Sequence, residues 1–147
     1  GVVDAFSARG FAFPVKNYIP AGFSLSSAFA AMDAELRNGF RCTAVFAMSD
    51  VMAIGAMRAL ADHGRAVPED VSLIGFDGIA LAHYTVPRLT TMRQNAEAIA
   101  QQSVALLARG LSGAPGPHHV TLQAELIAGA SVRPIAVDAF QVGFSHS

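Results

Sequence analysis

The chain contains a single cysteine, Cys42, so an internal disulfide is excluded, and the composition fits a reducing compartment. Charge is scarce as well. Charged side chains make up 14% of the 147 residues and the formal net charge is -1. That leaves no basic excess to neutralise phosphates, so this stretch by itself is not expected to bind nucleic acid or an anionic membrane. No unbroken apolar run reaches the ~18 to 20 residues that cross a bilayer, and Gly1-Val2-Val3-Asp4-Ala5 is not a basic leader before an apolar stretch. A soluble, cytoplasmic protein is expected. Catalytic signatures are missing too: there is no Gly-x-Ser-x-Gly elbow, phosphate-binding Gly-x-x-x-x-Gly-Lys, Gly-x-Gly-x-x-Gly or His-Glu-x-x-His. Nucleophilic and zinc hydrolysis therefore lack support. What is plentiful is apolar: 52% of the residues are hydrophobic, which excludes disorder and calls for a large core or an extensive surface covered by protein.

The apolar residues are ordered in an α/β pattern. Val2, Val3 and Phe6 stand at helical spacing, Gly10 is the stop, and no cap precedes them, so the chain is expected to begin inside an element with sequence missing upstream. Ser24 is a predicted N-cap for an amphipathic helix carrying Leu25, Phe29, Met32 and Leu36, stopped by Gly39. Thr43 to Ala47 has no polar alternation and predicts a strand buried on both faces of a parallel sheet. Asp50 is the predicted cap of a helix from Val51 to His63, and Val71 to Phe76 is a second buried strand, closed by Asp77-Gly78. Strand, helix and strand in this span form a βαβ unit. Further on come a short helical segment from Ile79 to Tyr84, a strand from Leu89 to Met92, and a long helix from Ala96 to Leu111 capped by Asn95. Its face is Ile99, Ser103, Leu106, Leu107 and Gly110. His119 to Leu122 and Glu125 to Ala128 are the last strand candidates, and the tail after Pro134 has no firm pattern.

The helix from Val51 to Ala61 has Arg58 as its lone polar residue and so no solvated face. Either it is sandwiched inside its own domain, or it packs on its sheet with one side and on a second subunit with the other. Helices form the outer layers of doubly wound folds, which favours the subunit contact. For chemistry, His118-His119 is a poor metal site, because neighbours in an extended segment point apart and no second Cys or His is near in sequence. Cys42 reads as a packed thiol. Asp50 and Asp77 both follow the carboxyl ends of parallel-type strands, where open α/β sheets bind ligands, and Ser49 shares the first loop. Helix capping is the favoured role of Asp50. Asp77 fits an Asx-turn before Gly78 or a carboxylate that accepts hydrogen bonds from vicinal hydroxyls or ring N-H groups. A carboxylate pair could also serve acid/base chemistry, although no positioned His or metal set supports it.

Three stretches in order, Thr43 to Leu60, Val67 to Asp77 and Leu89 to Gln94, resemble the effector-binding core of the LacI/GalR family of bacterial transcription regulators. The resemblance runs from Gly1 to about Pro134. It implies a three-layer, doubly wound parallel α/β sheet of the periplasmic-binding-protein-like type I, present in part. Residues 1–93 would belong to the C-terminal subdomain, 94–119 to the crossover helix and loop of the N-terminal subdomain, 120–135 to returning strand or strands, and 136–147 to a tail. Position by position, Phe23 matches the aromatic that stacks on the effector ring, Ser49 a polar contact, Asp77 the carboxylate that takes effector hydroxyls or amines, and Gln94 a polar hinge residue. The helix bearing Val51, Ile54, Met57 and Arg58 matches a dimerisation helix. The sequence departs from the family at Gly78, where a second Asp or Asn is frequent, and at Gly129 and Ala130, where Arg and Glu or another polar residue are common. The arginine that the family places shortly before Gly1 lies outside this chain, as does the helix-turn-helix head.

The resemblance implies a non-enzymatic, cytoplasmic, homodimeric regulator with no cofactor and no metal. Its effector would be a sugar or similar metabolite held in a cleft between subdomains, and DNA would be reached only through the missing head. A periplasmic sugar-binding protein of a transport system is the first alternative. An α/β enzyme using Asp50 and Asp77 is the second.

Overall fold

The computed structural model describes residues 1–113, 115–116 and 119–134. The tail predicted for 136–147, and His118 of the histidine pair, lie outside the described residues. Among the described residues there are four α-helices, α1 (Val2–Ser7), α2 (Leu25–Arg37), α3 (Asp50–Asp62) and α4 (Ala96–Ser112), and short 3-10 turns at Val15–Asn17 and Ala80–His83. Four strands, β1 (Ala44–Phe46), β2 (Ser72–Asp77), β3 (Thr90–Arg93) and β4 (Glu125–Ile127), lie side by side in that order. The first three are parallel, with Val45 opposite Leu73 and Gly75 opposite Thr91, while β4 returns antiparallel with Met92 opposite Leu126. The sheet is thus mixed, parallel through β3 and antiparallel at its last edge. His119 to Leu122 forms no strand.

The predicted caps at two helices are made as expected. Ser24 accepts the backbone N-H of Ser27 at 3.1 Å, and Asn95 accepts that of Ala98 at 2.9 Å. At α3 the expectation is corrected: the N-cap is Ser49, whose hydroxyl accepts the N-H of Met52 at 3.3 Å, and Asp50 is the first helical residue. Ser and Asp are both good cap formers, and here the carboxylate is drawn away from the helix to other donors.

The core is built around α3. Leu60, Leu73, Leu89 and Val71 are its largest fully buried apolar side chains, each contributing about 1.5 to 3 kcal/mol by leaving water. Along β2, Leu73 and Gly75 are buried while Ser72, Ile74 and Phe76 are half-buried. The buried pair faces α3, since a Cβ on Gly75 would meet Ala53 at 3.4 Å. On its other side α3 is covered by α2, and the two helices approach so closely that a Cβ on Gly55 would fall 2.3 Å from the carbonyl oxygen of Leu25. Much of the missing solvated face of α3 is therefore covered within the chain. A second expectation is corrected at β1. Predicted to be buried on both faces, it is an edge strand among the described residues, with Ala44 and Phe46 exposed.

The segment after β4 closes the end of the sheet where β2 and β3 begin. Ser131, fully buried, donates its hydroxyl to the Leu73 carbonyl at 2.6 Å and accepts the Thr90 N-H at 2.8 Å, while the Leu73 N-H reaches the Ser131 carbonyl at 2.7 Å. A Cβ on Gly129 would lie 2.3 Å from the Arg88 carbonyl oxygen, so this backbone path excludes the side chain that is common there in the resembled family.

Candidate functional site

Parallel strands bring their carboxyl ends to one edge, and the residues leaving β1, β2 and β3 gather there. After β1 the chain turns through Ser49 into α3. Both Ser49 and Asp50 are buried, Asp50 completely. Asp50 reaches across to the other two strands: its Oδ2 accepts the N-H groups of Gly78 and Ile79, each at 2.8 Å, and its Oδ1 accepts the Thr91 hydroxyl at 2.6 Å. A buried carboxylate without hydrogen bonds would be costly; this one is satisfied by three donors on the elements that line the edge.

Asp77 ends β2 with φ of 115°, the one positive value at a non-glycine residue among those described, and Gly78 follows at 77°. Asp77 and Gln94 meet. The amide Nε2 of Gln94 donates to Asp77 Oδ1 at 2.9 Å, and the Gln94 backbone N-H donates to the Asp77 carbonyl at 3.1 Å. The second carboxylate oxygen of Asp77 takes no hydrogen bond from a described residue, and the Gln94 side chain keeps its carbonyl oxygen as an acceptor. Together they present acceptors of the kind that bind paired hydroxyl groups. Beside them, Arg93 forms an ion pair with Glu125 at 2.5 Å. A cavity of about 330 Å³ lies between Arg93, Gln94, Gln123 and Glu125.

The four predicted contact residues are only partly brought together. Asp77 and Gln94 touch, and Ser49 sits at the same sheet edge, where its hydroxyl oxygen accepts the cap bond of α3 and its O–H remains a donor. Phe23 stands at the entry to α2, 72% exposed, and its ring makes no ring contact with a described residue. Of the predicted interface residues, Val51 and Ile54 are half-buried, Met57 is buried by the chain itself, and Arg58 is exposed and paired with Asp62 at 2.8 Å. A cavity of about 350 Å³ touches Met57, Ala61, Val67 and Val86, beside the carboxyl-terminal half of α3 and away from the Asp77 edge. Sequence reasoning overlooked Thr91 and Ser131. Each is a buried hydroxyl in a strand or near one, a signal the pattern of apolar residues does not carry.

His119 bonds the Thr121 hydroxyl at 3.1 Å, and among the described residues no three of His, Cys, Asp and Glu are gathered as for a metal. Cys42 is half-buried and leads into β1. No helix among the described residues is long and apolar enough to cross a membrane.

Comparison with known proteins gives this edge a context. Residues 1–132 match the family described as the periplasmic binding protein-like domain. The HTH-type transcriptional regulator AscG of Escherichia coli strain K12 is 36% identical over 127 residues, which is 86% of this chain and 38% of AscG. A LacI family transcriptional regulator from Arthrobacter sp. FB24, solved in complex with lactose, superposes with a TM-score of 0.68 at 35% identity, covering 77% of this chain and 43% of that one. The transcriptional regulator CelR, in its cellobiose complex, gives 0.78 at 31% identity over 87% of this chain and 39% of the other. The chain spans about a third of the length of the curated relatives it matches.

Proposed function

This chain belongs to the periplasmic binding protein-like domain family, in the form carried by the effector-binding part of LacI/GalR transcription regulators, and from that premise we propose that it binds a sugar and so controls DNA binding by a separate head. Asp77 and Gln94 take the sugar's hydroxyls, Ser49 adds a polar contact, and Phe23 stacks on the ring face. The site lies in a cleft, with residues 1–93 as one wall and the helix from Ala96 crossing to the other subdomain. The regulator works in the cytoplasm as a homodimer through the face of α3 that bears Val51, Ile54, Met57 and Arg58. Its action is binding without turnover, and a ligand that prefers one cleft state shifts the equilibrium by its differential affinity, about 1 to 3 kcal/mol of coupling.

The observation that carries the reading is the pair of half-buried Asp77 and exposed Gln94 at the carboxyl ends of parallel strands, with acceptors free. Sugar-bound relatives of similar fold support it. Titration of the full-length protein with lactose and with cellobiose by calorimetry tests it. Replacing Asp77 with Ala should weaken binding by about 1.5 to 3 kcal/mol, the scale of a hydrogen bond to a charged group, and unchanged affinity would remove Asp77 from the site. Recovery of altered sugar after incubation would instead favour an enzyme. Sedimentation of the same protein as a monomer at micromolar concentration would rule out the homodimer.

A further inference from the structure

Asp50 has no part in capping α3, and yet it is fully buried and has no cationic partner among the described residues. Its three hydrogen bonds show what it grips. Two are the N-H groups of Gly78 and Ile79, immediately after Asp77, and the third is the Thr91 hydroxyl on the neighbouring strand. The grip is specific in shape as well as in chemistry. A Cβ on Gly75 would fall 2.3 Å from Asp50 Oδ1, so the carboxylate occupies a notch that only glycine leaves open. An acidic residue in the first turn of α3 also suits the positive end of the helix dipole. Asp77, meanwhile, is held in a backbone conformation that non-glycine residues adopt only when their surroundings impose it.

We propose that Asp50 is the positioning residue of the effector site: it anchors the turn at Gly78 and Ile79, keeps Asp77 in its left-handed conformation, and so aims the Asp77 carboxylate at the ligand beside Gln94. This rests on the sugar-binding reading above. Under it the sheet edge is preorganised, with α3, β2 and β3 joined through one buried carboxylate before any ligand arrives. Asp50 itself touches no ligand.

The test is Asp50→Asn in the full-length protein, a change that keeps the shape and turns one acceptor toward donors as a donor. Amide exchange at Gly78 and Ile79 should quicken at least about tenfold, and affinity for lactose or cellobiose, whichever the unaltered protein binds, should fall about tenfold, the scale of one lost hydrogen bond to a charged group. A merely structural role would lower binding equally in every background. Positioning predicts that Asp50→Asn costs less than about twofold more once Asp77→Asn is present, yet still about tenfold beside Phe23→Ala, because coupling appears between residues that act as a unit. Unchanged exchange and affinity, or losses that multiply with Asp77→Asn, would overturn the proposal. Should Asp50→Asn fail to fold, Thr91→Val removes one of the three bonds and should show the same pattern at about threefold. If the unaltered protein binds neither sugar, the sugar reading fails, and the exchange measurement alone then decides whether Asp50 holds the turn.

Discussion

Helices α3 and α4 are both rich in alanine, yet eight of the 13 residues of α3 are buried and none of the 17 in α4. The difference lies in what surrounds them. α3 has a sheet on one side and α2 on the other, and small residues let both come close: Gly55 against the Leu25 backbone, Ala53 and Ala56 within the layer. α4 keeps Val104, Leu107 and Leu111 exposed. α4 also carries polar residues such as Glu97, Gln101 and Gln102, where α3 has Arg58 alone between Val51 and Ala61, and burial further depends on whether a complementary surface is within reach.

The contrast can be tested in the 147-residue chain by urea unfolding. The largest effect should come from Leu60→Ala, at about 2 to 5 kcal/mol for a fully buried leucine, while Leu107→Ala should stay within about 0.5 kcal/mol as a surface change. A loss above about 1.5 kcal/mol at Leu107 would mean that α4 is packed in solution. The glycines should then give opposite signs. Gly55→Ala forces a methyl against backbone and should destabilise by about 1 to 3 kcal/mol. Gly110→Ala meets nothing within 4 Å, so it should stabilise by about 0.5 to 1 kcal/mol through helix propensity. A stable Gly55→Ala variant would show that the two helices can separate.

The smallest effect is at the far end of α2 and α3, where Asp33 bonds His63 at 2.8 Å and Arg37 at 2.9 Å. The hydrogen bond from His63 holds the Asp33 carboxyl below its ordinary value; burial opposes it more strongly than either charge helps, and the charges of Arg37 and His63 add to the lowering. A depressed carboxyl stabilises the fold above its unfolded-state pKa, and that contribution fades as the pH falls through its folded value. Comparing melting temperatures of the unaltered protein and Asp33→Asn from pH 6 down to pH 3 should show their difference narrowing with acid. A difference that does not narrow would leave the pair no role in acid stability.

Much of this fold was legible because its signals are local. Ser24 and Asn95 cap as expected, and the glycines that stop helices stand where the periodicity ends. The failures involve choices that depend on distant residues. Ser49 and Asp50 are both good caps, and only the approach of Gly78, Ile79 and Thr91 decides between them. The apolar run of β1 matches a buried central strand, but pairing on one side alone leaves it at an edge. The absent solvated face of α3 is covered in good part by α2, through a contact that Gly55 makes possible, while Val51, Ile54 and Arg58 keep accessible surface. At the carboxyl edge of the sheet, the position of Asp77 just at the end of a strand was readable, and its meeting with Gln94 follows from the parallel pairing of β2 and β3.

The arginine on β3 and the glycine after β2 constrain each other. Gly78 sits so near Arg93 that a Cβ would come within 2.6 Å of that side chain, in a conformation L residues rarely adopt. The Asp or Asn frequent there in the resembled family cannot enter by one substitution; the turn and Arg93 must move with it. A side chain at position 78 therefore calls for a second change, in the turn or at position 93, so that bringing a second carboxylate to the sheet edge takes two substitutions acting together.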